Sequence, residues 1–153
     1  MSVIPQDDTA GHGAALARLV HFYETISLTT VRTALGDIYA AQATFKDPFN
    51  EVVGLDAIGA IFEHMFEQVE APRFVVKVSV LQESQAFITW DFLFRIKRSA
   101  RPEVCVRGAT HLAFDEHGKV TMHRDYWDAA EELYEKFPMV GSFMRFLKKI
   151  ANT

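Results

Sequence analysis

The spacing of apolar side chains predicts helices first and strands later. Leu16, Leu19, Val20, Tyr23 and Ile26 recur at helical intervals. Thr29-Thr30 offers a cap that restarts a second helix through Val31, Ala34, Leu35 and Ile38. Ala43–Pro48 reads as a short extended run closed by proline, which places Asp47 at a strand end or in the loop after it. After Gly54, the series Ile58, Ile61, Phe62, Met65, Phe66 and Val69 predicts a third amphipathic helix that Pro72 halts. Residues 1–13 carry no periodicity and read as a flexible lead-in to a single domain over 14–153.

The remainder reads as an antiparallel meander of Phe74–Gln82, Ala86–Lys97, Val104–Phe114 and Lys119–Trp127. Asp115-Glu116-His117-Gly118 is its clearest turn, and pairing Phe114 with Lys119 sets Thr110 opposite His123, Gly108 opposite Asp125 and Val106 opposite Trp127. In the stretch 88–96 the apolar parity puts Ile88, Trp90, Phe92, Phe94 and Ile96 on one face and favours Asp91 outward, while the loop Arg98–Glu103 is long enough for the other parity, which would bring Asp91 into the pocket. Ala129–Phe137 and Ser142–Ile150 read as two closing helices. Helices followed by strands, without βαβ alternation, make the fold class α+β.

Composition narrows the function classes. The 153 residues carry 16 basic and 20 acidic side chains, a net charge of −4, and no basic cluster longer than Lys148-Lys149, so nucleic acid is not an expected partner. No run approaches the ~18 uncharged apolar residues of a membrane span, and no leader pattern opens the chain, so a membrane is not expected either and a cytoplasmic setting is. The lone cysteine, Cys105, excludes an internal disulfide. Thirteen phenylalanines suggest an aromatic-lined interior. Histidines and carboxylates lack metal-ligand spacing, so no metal or other cofactor is expected.

The polar residues on the apolar face of the last hairpin, Thr110, Thr121, His123 and Asp125, are the candidate chemistry. A buried carboxylate without partners retains its proton, which suits acid–base work, and pairing with His123, Arg107 or Arg124 is the structural alternative for Asp125. Gly108 opposite Asp125 would leave space for a ligand atom. His123 is either a general base or the orienting partner of Asp125. His12 falls in the lead-in, and His64, His111 and His117 lie away from this face.

The order of elements resembles the nuclear transport factor 2-like superfamily. Tyr23 followed by the stretch Ile38–Pro48 is similar to the first half of a ketosteroid isomerase, and His123-Arg124-Asp125-Tyr126-Trp127-Asp128 resembles the SnoaL-like polyketide cyclase branch. The resemblance implies a cone-shaped, curved antiparallel or mixed sheet wrapped around the N-terminal helices, with the closing helices as extras. It also implies Asp47 or Asp125 as the base that moves a proton next to a carbonyl, with Tyr23 and Thr110 donating to the oxyanion; Thr110 stands where the family's isomerases carry a protonated aspartate. Phe45, Phe62, Phe66, Val106, Gly108, Leu112 and Trp127 are expected to line the pocket for a small apolar molecule. A homodimer through the sheet completes the expectation, and a non-catalytic ligand-binding or dimerisation module of the same fold is its alternative.

Overall fold

The structure is a computed structural model that describes residues 9–134. Helix α1 spans Thr9–Glu24 and α2 spans Leu28–Ile38; strands β1 (Tyr39–Lys46) and β2 (Glu51–Val53) follow, then α3 (Leu55–Gln68). Strands β3 (Val69–Gln82), β4 (Gln85–Ile96), β5 (Val104–Phe114) and β6 (Val120–Tyr126) form the meander, and a π-helical turn at Ala130–Tyr134 comes after it. One six-stranded sheet results, in the order β2-β1-β6-β5-β4-β3. It is mixed, because β1 runs parallel to β6 while every other pair is antiparallel. The sheet curves without closing, and the helices pack into its concave face, where Leu19, Tyr39, Ile58, Leu112 and Val120 are fully enclosed.

Several boundaries differ from the sequence expectation, each for a local reason. Helix α1 begins at Thr9, not near Ala14, because His12 is no tail residue: it is buried, stacks on Phe114 and hydrogen-bonds the Asp115 carbonyl at 3.2 Å. The cap of α2 is Ser27, whose hydroxyl accepts from the Thr30 amide while Thr30 accepts from the Ser27 amide, a reciprocal box worth about 1 kcal/mol. Helix α3 ends at Gln68, before Pro72 is reached, and β3 starts at once. Pro72 instead sits in a β-bulge between Glu70 and Arg73, where Ala71 takes a φ of 49°. A second bulge follows between Val76 and Val78. Between them the Val76 amide, on the open edge of the sheet, donates to Glu24 Oε2 of α1 at 3.1 Å.

The β5–β6 register is also shifted. Thr110 pairs with Asp125 and Leu112 with His123, because an irregularity between Ala113 and Phe114 sets Phe114 opposite Val120. The displacement is an even one, so the side chains keep the face expected of them. The turn itself is held by Asp115, whose Oδ1 accepts from the His117 and Lys119 amides, and by Gly118 at a φ of 73°. Asp91 faces outward as its parity predicts and pairs with Lys77 at 3.3 Å. The expected helix over 129–137 is described only as far as the π-helical turn. There Glu132, buried, receives the Arg107 guanidinium and so ties the turn to β5. The expected helix Ser142–Ile150 lies outside the described residues.

Candidate acid–base site

The mouth of the curved sheet holds a cavity of about 190 Å³ between α3 and strands β1, β3, β4, β5 and β6. Its wall is aromatic and aliphatic: Phe45, Phe62, Phe74, Trp90, Phe92 and Trp127 supply most of it. Two carboxylates, Asp47 and Asp125, interrupt that wall. Behind the main cavity lies a chamber of about 30 Å³ whose polar wall residues are Tyr23, Thr110 and Asp125. Phe45, Phe62, Phe74, Trp90 and Asp125 face both spaces.

Asp125 is not the unpartnered carboxylate the sequence suggested. Its Oδ1 lies 2.6 Å from Thr110 Oγ1 and 2.7 Å from His123 Nε2. Of the three partners open to it, His123 is the one it takes; Arg107 is engaged by Glu131 and Glu132, and Arg124 lies over the Tyr126 ring on the outer face. Oδ2 accepts no hydrogen bond among the described residues, which leaves one lone-pair edge of the carboxylate for a ligand.

Donor inventory fixes the direction of the network around it. Trp90 Nε1–H can only donate, and it donates to Thr110 Oγ1 at 2.8 Å, so the single Thr110 proton goes to Asp125. Facing the Asp125 carboxylate, His123 carries its proton on Nε2 and accepts at Nδ1, which has the Tyr39 and Tyr23 hydroxyls 2.8 and 3.3 Å away. Tyr39, the nearer, donates to Nδ1 and therefore accepts from the Tyr23 hydroxyl. His123 is held flat by Phe45, whose ring stacks on it at 4.4 Å, as the pairing of Phe45 with His123 across β1 and β6 requires. Burial pushes both phenols well above the ordinary tyrosine range, so both keep their protons.

Thr110 therefore differs from the oxyanion donor implied by the resemblance, since its one proton is committed to Asp125, while the Tyr23 hydroxyl lies between Tyr39 Oη and His123 Nδ1. Gly108 differs too. It pairs with Trp90, and the indole lies directly over it, so that a Cβ there would sit 2.4 Å from Trp90 Cη2. The space expected above the glycine is occupied by Trp90.

Asp47 follows β1 in the loop to β2, where its carboxylate closes an Asx turn. Oδ1 accepts from the amides of Phe49 and Asn50 at 2.7 and 2.6 Å, and the Asn50 side chain bonds both oxygens. Burial raises its pKa, opposed by these hydrogen bonds and reinforced by the charge of Asp125. Of the other expected lining residues, Phe45, Phe62, Val106 and Trp127 face the main cavity; Phe66 packs against the core, and Leu112 is fully buried. Tyr39 and Asn50 carry no role in the sequence reading. Asn50 was accessible through the turn signal of Asp47-Pro48-Phe49-Asn50, whereas Tyr39 reaches His123 only because β1 is irregular between Tyr39 and Thr44.

Among the described residues no cluster of histidine, cysteine and carboxylate has the form of a metal site, and no helix is long and apolar enough to cross a membrane. A family model described as the SnoaL-like domain matches residues 8–123. Solved structures of similar fold include a Catenulispora acidiphila protein with a ketosteroid isomerase-like fold in complex with trimethylamine, at 16% identity over 86% of this chain and 92% of that one, with a TM-score of 0.66. An LEH-like epoxide hydrolase of M. tuberculosis matches at 11% identity over 88% and 96%, with a TM-score of 0.65. TerC co-crystallised with polyporic acid matches at 10% identity over 82% and 96%, with a TM-score of 0.67. At these identities the likeness is one of fold. No curated protein matches the sequence at a significant level.

Proposed function

The chain belongs to the SnoaL-like domain family of the nuclear transport factor 2-like superfamily, and from that premise we propose that it is a cofactor-independent acid–base enzyme of the isomerase or cyclase type, acting on a small apolar carbonyl compound. The observation that carries this reading is the presence of Asp47 and Asp125 on one aromatic-walled cavity. Asp125, with Oδ1 held by His123 and Thr110 and Oδ2 accepting no hydrogen bond among the described residues, takes the proton next to the carbonyl. Asp47, whose carboxyl pKa burial raises, is the second acid–base group on the same wall. Different surroundings thus divide the labour of two like groups.

The cavity volume sets the ligand size. About 190 Å³ is close to the ~150 Å³ that encloses a benzene ring, so the buried part of the ligand is one or two rings, with any longer body leaving through the mouth. That favours a polyketide-like fragment over a full steroid. The fold neighbours recorded with trimethylamine and polyporic acid are in keeping with a small-molecule site.

The test uses α-tetralone, a bicyclic ketone, in D₂O, following deuterium entry next to the carbonyl by NMR. Wild type is expected to accelerate exchange, and Asp125→Asn to lose about 100-fold or more of that acceleration while still quenching the fluorescence of Trp90 or Trp127 on binding. Binding by wild type without exchange would overturn the enzyme reading in favour of a ligand-binding module.

A further inference from the structure

The inner chamber has no part in the proton transfer proposed for the main cavity, yet it is the most polar enclosed space in that region. Its volume of about 30 Å³ exceeds the ~10–15 Å³ that one buried water requires, and its wall offers more than the two polar partners such a water needs.

The hydrogen-bond directions are set from both ends. Trp90 forces the Thr110 proton onto Asp125, and His123 draws the Tyr39 proton, which in turn draws that of Tyr23. With its proton turned inward, the Tyr23 oxygen presents a lone pair. A water in the chamber would donate one hydrogen to that lone pair and the other to the Asp125 carboxylate. The chain from water to histidine then reads water, Tyr23, Tyr39, His123 Nδ1, with His123 Nε2 on Asp125 Oδ1.

We propose that the inner chamber binds one water molecule as a reactant, and that Tyr23 and Tyr39 carry a proton from it to His123. The step balances without a co-reactant. A water O–H bond breaks as a proton joins Tyr23; the original Tyr23 proton passes to Tyr39, and that of Tyr39 to His123 Nδ1. Both phenols are neutral before and after, which suits groups whose burial opposes the phenolate. The products are an imidazolium beside the Asp125 carboxylate and a hydroxide-like oxygen. The electron pair of that oxygen bonds the carbonyl carbon of a ligand in the adjoining main cavity as the C=O π bond breaks and its pair moves to the carbonyl oxygen. The carbonyl oxygen then takes up one proton while His123 gives one up, so that one water is added and the protein ends unchanged. The reaction class thereby extends to addition of water. This function of the chamber rests on the acid–base reading of the main cavity, but its physical basis is measured without turnover.

Neutron diffraction from crystals of the whole protein exchanged into D₂O at neutral pD reads the deuterons directly. The expected map shows one water in the chamber donating to Tyr23, Tyr23 donating to Tyr39, Tyr39 donating to His123 Nδ1, and a deuteron on Nε2. A chamber without water, or a deuteron on Nδ1 with the phenol bonds reversed, overturns the relay and leaves the ketone-exchange result untouched. In solution, ¹⁵N NMR of the histidines gives an independent reading: Tyr23→Phe is expected to leave the His123 Nδ1 resonance that of a hydrogen-bonded acceptor, and Tyr23→Phe with Tyr39→Phe to move it to that of a free one, with Nε2 still protonated. A free Nδ1 in Tyr23→Phe alone would exclude Tyr39 as the link.

Discussion

At the residue scale the site is organised by side chains that do not touch the ligand's reacting atoms. Trp90 is the main one, since its indole fills the space over Gly108 and its N–H decides where the Thr110 proton goes. A methyl group at position 108 cannot share that space with the indole. Gly108→Ala is expected to displace Trp90 and break its bond to Thr110, lowering stability by about 1–3 kcal/mol in denaturant unfolding and shifting the Trp90 emission. An unchanged unfolding midpoint and spectrum would show that the indole moves freely. The sequence contains the residues of this arrangement but not its reason. Gly108 looks like an opening because the side chain that covers it comes from another strand, and only the β4–β5 register makes them neighbours.

At the scale of elements, the short link between β1 and β2 fixes one of the two acids. The Asp47 carboxylate holds the turn by accepting amides, but burial sets its charge against the apolar wall and raises its pKa in the folded protein. The folded state therefore holds this proton more tightly than the unfolded chain, and the linked stability falls as pH rises from 3.8 through the folded value. Asp47→Asn removes that slope. Unfolding free energies of the two proteins, compared across this window, are expected to converge towards acid for wild type and to diverge above it; parallel curves would mean that Asp47 titrates normally. Much of the architecture at this scale is legible in the chain, because helical spacing marks α1 to α3 and alternation marks β4 and β5. The register of β6 and the start of β3 are not legible, since bulges and irregular pairs depend on which strands meet, and β2 is too short to leave a periodic signal.

For the whole molecule, the concave face of the sheet is spent on the core and cavity, and the convex face remains. There Val78, Val80, Phe87 and Tyr126 are each about half exposed, an apolar group spread over β3, β4 and β6. We propose this face as the contact surface for the homodimer expected from the sequence. Val80→Lys together with Phe87→Lys is expected to convert a dimer into a monomer in sedimentation velocity, with far-UV circular dichroism unchanged; a wild-type protein that sediments as a monomer at all concentrations would remove this interface. The rim of the sheet is built differently. Strand β3 ends the sheet with two bulges and with a backbone amide already occupied by Glu24, while at the opposite margin β2 is only three residues long. Neither margin offers the flat, regularly spaced ladder that a strand from another molecule needs for docking, so end-to-end growth of the sheet into a fibre is blocked at both sides by backbone geometry.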